Sequence, residues 1–278
     1  MADPLIVRKA DGTTEPFKRE KLAYSLKRAG ASPFLIDDIV AEVEEKYEDG
    51  TTTAKIYREA FQRLKRERAS VASRYSLKRA VLDLGPTGFP FEDFIAEIMK
   101  ARGWHASSRA TIRGRCATHE VDLIASKGDQ RIGGEMKFHN SAGLKSDLKV
   151  ALYVSARFQD LNAGLESRSK GFTESWLLTN TKFTSEALRY GTCAGLTMIG
   201  WSTPRHGNLQ DLIEEAALHP VTALTRLNKG EKQRLLTQGH VLCRSIRQDP
   251  DLVRALGVSE RKFDAVMQEV QELCGVGH

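Results

Sequence analysis

The period of the apolar positions changes along the chain, and the changes mark out its elements. Leu5-Ile6-Val7 reads as a short strand and Ala10-Asp11-Gly12 as a turn, and Thr14-Glu15-Pro16-Phe17 leads into a helix from about Arg19 to Ala29. Ser32-Pro33 opens a second helix, on which Leu35, Ile36, Ile39, Val40, Val43 and Tyr47 recur at helical spacing. Thr52-Thr53 caps a third, carrying Ile56, Tyr57, Ala60, Phe61 and Leu64. The pattern breaks at Gly85-Pro86-Thr87-Gly88, so residues 1–84 are expected to form a small, mainly helical domain.

Beyond the break, helices and strands alternate. A helix with Phe91, Phe94, Ile95, Ile98 and Met99 on one face precedes a strand near Ala110. Two more strands, His119-Glu120-Val121-Asp122-Leu123-Ile124-Ala125 and Arg131-Ile132-Gly133-Gly134-Glu135-Met136-Lys137-Phe138, are joined by the turn-like Lys127-Gly128-Asp129-Gln130 and read as a hairpin. A helix from about Leu144 to Leu161 follows, then a buried strand at Ser175-Trp176-Leu177-Leu178-Thr179. Next come a helix from Thr184 to Tyr190, a strand from Leu196 to Trp201 and a helix from Leu209 to Leu218. This order predicts an α/β domain with a mixed sheet over residues 85–219. After Pro220 the tail, 220–278, reads as helices around Lys229-Gly230-Glu231-Lys232, Leu235-Leu236, Pro250-Asp251-Leu252 and Leu256-Gly257-Val258-Ser259.

The hairpin carries the chemistry. Side chains alternate across a strand, so Glu135 and Lys137 are expected on one face with Met136 and Phe138 on the other, and Asp122 opposite Val121 and Leu123. Two carboxylates and an ammonium at one end of a sheet are costly to bury uncompensated. A Mg²⁺ or Mn²⁺ ion relieves that cost, because hard cations take carboxylate oxygens and retain water. Glu-x-Lys occurs three times in the chain, at Glu44/Lys46, Glu135/Lys137 and Glu260/Lys262, and only the middle one lies in a strand-like run with an aspartate in the preceding strand. Glu92 and Asp93 begin the helix after the break, where the helix dipole alone favours carboxylates.

Composition narrows the partners only slightly. A net charge of +6 permits an acidic partner such as DNA, but no segment is a basic tail; even the cluster from Arg63 to Arg79 reads first as a solvated face. The four cysteines lack zinc spacing, and with no signal peptide they suggest a reducing, cytoplasmic setting. No apolar run approaches the roughly 18 residues of a membrane span.

Three resemblances sharpen these expectations. Val7-Arg8-Lys9-Ala10-Asp11-Gly12, Glu15-Pro16-Phe17 and Glu20-Lys21-Leu22 together resemble the ATP-cone, a nucleotide-sensing domain. The resemblance implies ATP or dATP as an allosteric ligand, with Lys9 and Lys21 near phosphates, Thr53 near base or ribose, and Arg8 and Tyr57 also among the nucleotide-binding residues. Alanine stands at position 10 where the family usually has arginine, and Tyr57 where a histidine is common. No Gly-x-x-x-x-Gly-Lys loop is present, so sensing rather than hydrolysis is expected.

Phe91-Glu92-Asp93-Phe94, Glu120-Val121-Asp122, Glu135-Met136-Lys137 and Thr179-Asn180-Thr181 resemble the restriction-endonuclease-like fold with its PD-(D/E)xK site, in its Mrr-type branch. That resemblance implies a metal-dependent DNA endonuclease, in which Asp122 and Glu135 hold the metal, Lys137 serves the attacking water and Glu92 completes the site. His139, Asn140 and Asn180 are its candidate DNA contacts. The tail resembles helix-hairpin-helix domains, a packing or dimerisation tail being the other reading, and a homo-oligomer is allowed. The rival to the enzyme is a nucleotide-responsive DNA-binding regulator whose nuclease fold is unused.

Overall fold

The computed structural model describes residues 5–166 and 171–274. At the N-terminus β1 (Ile6–Arg8) pairs antiparallel with β2 (Thr14–Pro16) across a turn in which Gly12 adopts φ +84°, open to glycine without strain. Then come α1 (Arg19–Arg28) and α2 (Pro33–Lys46); Pro33 sits in the first turn of α2 and the Ser32 side chain accepts from the Leu35 amide. β3 (Thr51–Thr52) returns parallel to β1, giving the order β2-β1-β3, and α3 (Thr53–Glu67) starts under a cap from Thr52. Val7, Leu26, Ile39, Val43, Ile56 and Leu64 meet in one core, closed by Val71 and Ala72 of α4 (Ala69–Tyr75). α5 (Leu77–Leu82) turns Leu77 and Val81 into the next core instead, so the change of core precedes the break at residues 85–88.

α6 (Phe89–Ala101) leads into an antiparallel meander of β4 (His105–Arg113), β5 (Thr118–Lys127) and β6 (Gln130–Lys137). β7 (Lys145–Ser146) precedes α7 (Leu148–Glu166). The chain re-enters the sheet as β8 (Glu174–Thr179), parallel to β6, and β9 (Lys182–Phe183) then pairs with β7. α8 (Ser185–Cys193), β10 (Leu196–Ile199) and α9 (Leu209–Glu215) complete a five-stranded mixed sheet of order β10-β8-β6-β5-β4. The helix expected from Leu144 starts at Leu148, because Lys145 and Ser146 are drawn out as a strand against Lys182 and Phe183.

The two faces of the sheet serve different helices. Leu123, Ile132, Met136, Trp176 and Leu178 pack with α6 and the C-terminal helices. Val121 and Leu177 pack with Ala151, Val154 and Phe158 of α7. Val121 and Leu123 therefore lie in different cores, contrary to simple alternation, and the switch falls at Asp122.

After a short 3₁₀ turn (Val221–Ala223), the tail forms α10 (Lys229–Thr237), α11 (Cys243–Gln248), α12 (Asp251–Arg254) and α13 (Glu260–Cys274). Leu256-Gly257-Val258-Ser259, expected as a helix, is the link between α12 and α13, with Gly257 at φ +74°. Among the described residues no helix is long and apolar enough to cross a membrane.

Candidate functional site

The β5–β6 ladder runs from Lys127↔Gln130 to Leu123↔Gly134 and stops there. Beyond that pair β6 stays with β8, through Glu135↔Leu177 and Lys137↔Thr179, while β5 stays with β4. The sheet forks at Asp122 and Glu135. The Met136 amide, released from the ladder, donates to Asp122 Oδ2 at 2.8 Å. Across from Asp122, between the pairs Ser108↔Leu123 and Ala110↔Val121, Arg109 adopts φ +55°. A left-handed non-glycine residue costs on the order of 1–3 kcal/mol and is held only by firm surroundings. Here those surroundings are ionic: Arg109 donates to Glu92 Oε2 at 3.1 Å and to Asp93 Oδ1 at 2.7 Å.

Burial is the leading influence on both outer carboxyls. It pushes Asp122 up to about 6, with the nearby Glu135 charge adding to it. It also raises Glu92, against the opposing hydrogen bond from Arg109. Glu135 is 3% exposed, and both its oxygens are engaged. Lys137 Nζ lies 2.5 Å from Oε1, and Arg157 of α7 binds Oε2. Arg157 also donates to the Glu120 carbonyl at 3.0 Å and to the Tyr153 hydroxyl, whose ring it overlies.

Asp122 and Glu135 supply hard oxygen donors of the kind that Mg²⁺ or Mn²⁺ takes, with both Glu135 oxygens already engaged by Lys137 and Arg157. Among the described residues no group of three or more His, Cys, Asp or Glu side chains could hold a metal ion, so Glu92, tied to Arg109, does not enlarge the pair into a cage.

The other expected contacts divide. Asn180 is fully buried and both ends of its amide are used, accepting from the His139 amide at 2.8 Å and donating to the His139 carbonyl at 2.6 Å. It braces the loop after β6 and cannot meet DNA through its side chain. His139 Nε2 lies 3.1 Å from Ser146 Oγ, and burial, then the Lys137 charge, lower its pKa. Asn140 is exposed.

In the N-terminal unit, Glu15 ties Lys9 (2.6 Å) to Lys21 (3.1 Å), and these two bonds hold its carboxyl below the usual range. Arg8 pairs with Thr52, the residue before Thr53, so Arg8, Lys9 and Thr53 gather at one edge of the small sheet. Tyr57 stacks between Phe61 and Tyr75 instead, and burial pushes its phenol up to about 12. It is a half-buried member of an aromatic stack on α3 and α4.

Arg109 and Arg157 were not predictable as site residues. Arg157 belongs to a helix remote in sequence, and nothing in the alternation of β4 marks Arg109.

The chain thus joins a small α/β unit to a mixed α/β core and a helical tail. Residues 5–83 match the ATP cone domain, and residues 219–274 match the domain described as AF1548-like, C-terminal. An uncharacterized protein of Archaeoglobus fulgidus is 32% identical over 182 residues, covering 65% of this chain and 100% of the relative. A crystal structure of a protein of unknown function, AF1548, superposes with a TM-score of 0.55 at 30% identity, covering 69% of this chain and 100% of that one. The chain belongs to the AF1548-like family and carries an ATP cone domain at its N-terminus.

Proposed function

We propose that the chain is a metal-dependent nuclease whose activity is set by ATP or dATP bound at the cone. The observation that carries this reading is the fork in the sheet, which gathers Asp122, Glu135 and Lys137 at the divergent ends of two strands. The motif resemblance to the PD-(D/E)xK site rests on these same residues, Asp122, Glu135 and Lys137, which supports the reading.

Asp122 and Glu135 would hold Mg²⁺ or Mn²⁺, which when bound acidifies a coordinated water and offsets charge on the phosphate. Lys137, an ammonium hydrogen-bonded to Glu135, would orient the attacking water and offset charge on the phosphate. Arg157 holds Glu135 in place; Arg109 keeps Glu92 and Asp93 at the rim.

Regulation has a physical route. A Cβ added at Gly143 would lie 3.2 Å from the Ala10 carbonyl oxygen, and Lys145 Nζ lies 4.0 Å from Asp11. The loop after β6 therefore rests on the cone's turn, beside Lys9. From that loop Ser146 contacts His139, and Asn180 ties His139 to the end of β8. Triphosphate competing with Glu15 for Lys9 and Lys21 would disturb the turn on which the loop rests. It would shift the fork only as far as it prefers one loop position over another.

Both Glu135 oxygens being occupied favours a second reading, a nucleotide-responsive DNA-binding regulator that does not cut. The deciding experiment incubates plasmid, linear and single-stranded DNA with Mg²⁺, Mn²⁺ or EDTA, with and without ATP or dATP, using wild type and Glu135→Ala. Metal-dependent cutting lost in the variant is the expected result; equal cutting by a folded Glu135→Ala protein refutes the site. Binding without cutting under every condition favours the regulator.

A further inference from the structure

A cleft of about 500 Å³ lies between α5, the link at residues 85–86, Asn140 and α10. Its lining is cationic: Arg79, Lys229 and Lys232 face a single acid, Asp83, which Arg79 already engages at 3.1 Å. Neither Lys229 nor Lys232 makes an ion pair with a described residue. Lys232 is half-buried and spends one of its three donors on the Thr222 carbonyl at 2.8 Å. Burial pushes its pKa down, against the opposing charges of Asp83 and Glu269. Glu269, the other acid near it, is consumed by Ser73, by both the amide and the hydroxyl of Thr225, and by the Arg226 amide. The cleft therefore holds two ammonium groups that no described carboxylate pairs with directly, and an anion would offset their charge.

Position suggests which anion. Asn140 follows Lys137 by three residues, a span of about 10 Å at most, and Phe138 between them packs on Phe91 at 5.6 Å. A Cβ on Gly85 would sit 2.8 Å from the Phe138 ring, so the cleft wall rests on the strand that carries Glu135 and Lys137. At about 3.4 Å of axis per phosphate along a strand, such a span is a few nucleotides. Among the described residues no aromatic side chain lines the cleft to stack a base, and lysines act as point charges toward phosphate.

We propose that this cleft binds backbone phosphate of the nucleic-acid strand that is cut at the β5–β6 fork, gripping it a few nucleotides from the scissile bond. The proposal rests on the nuclease reading. Contacts of this type position a substrate without reading its sequence.

The test is fluorescence anisotropy of labelled single-stranded and duplex oligonucleotides with the full chain in EDTA. Wild type is compared with Lys229→Glu, Lys232→Met and, as a charge-matched control on exposed α8, Arg189→Glu. Lys229→Glu is expected to weaken binding about tenfold at low salt and to lower the slope of log affinity against log salt by about 1. Arg189→Glu should change neither appreciably. Lys229 is exposed, so its variant remains informative if Lys232→Met folds poorly. Equal weakening by Lys229→Glu and Arg189→Glu, or no weakening by Lys229→Glu, overturns the cleft. The cleavage assay separates the two ideas. Wild type that cuts DNA while Lys229→Glu binds normally refutes the cleft alone. Weakened binding in a protein that never cuts refutes the nuclease and leaves the cleft as a nucleic-acid site. Wild type that binds no nucleic acid refutes both.

Discussion

Replacing Asp122 by asparagine should stabilise the metal-free protein while removing its proposed chemistry. Burial and the facing Glu135 move the Asp122 carboxyl from 3.8 to about 6, so the ionised form is disfavoured in the native state. At about 1.36 kcal/mol per unit that is roughly 3 kcal/mol, and solvent reaching the partly exposed group reduces it to about 1.5 kcal/mol. Asparagine keeps the shape and an oxygen for the Met136 amide. The sign follows from a raised native pKa: the penalty is absent where the acid is protonated in both states, grows as pH rises from about 4, and is complete above about 6. Urea unfolding followed by circular dichroism in EDTA should therefore show Asp122→Asn more stable than wild type at pH 7.5 and nearly equal to it below pH 4. Glu135→Gln should do the opposite, since it strips a buried carboxylate from Lys137 and Arg157 at a cost of about 3 kcal/mol. Added Mg²⁺ should raise the stability of wild type and of neither variant. An Asp122→Asn protein no more stable than wild type at pH 7.5 would refute the strained-carboxylate account of the fork.

Three further outcomes test the surroundings. Gly143→Val should push the loop at residues 139–146 away from the Ala10 carbonyl, leaving basal cleavage intact but removing most of a nucleotide effect of about 1–3 kcal/mol, read from cleavage rates with and without ATP. His219 is buried, and burial, then the Arg74 charge, hold its pKa down at about 4, so the unfolded chain takes up a proton below about 6.5 that the native state refuses. Wild type should lose about 2 kcal/mol relative to His219→Phe between pH 7 and pH 5, by urea midpoints at the two values. Gly164→Ala would place a Cβ 2.3 Å from the Gly114 backbone and should cost on the order of 1–3 kcal/mol in thermal unfolding, with no change in nucleotide affinity.

How much the sequence foretold depends on how local each feature is. The caps at Ser32 and Thr52, the amphipathic face of α6 and the hairpin turn at Gly128-Asp129 are written within a few residues, and each appears where the pattern places it. The placing of Glu135 and Lys137 on one face of β6 is equally local, because it needs only the period of a strand. Asp122 is where that reasoning fails. Alternation holds only while a strand keeps its partners, and at Asp122 the ladder to β6 ends while Arg109 reverses the adjoining strand. A fork is a property of three strands at once, so no window on one strand can reveal it. The same holds for charge. Glu135 reads as an unmatched carboxylate beside one lysine until α7 folds back and brings Arg157 to its second oxygen. Tyr57 shows the converse, since a family resemblance put it near a ligand and the folded chain stacks its ring between Phe61 and Tyr75. Local pattern supplies the donors; the folded chain decides which are already spent. For the proposed chemistry this makes the decisive quantity the exchange at Glu135, whose oxygens must be shared among Lys137, Arg157 and any bound cation. If that exchange is unfavourable, the fork remains an ion-pair network and the regulator is the better reading.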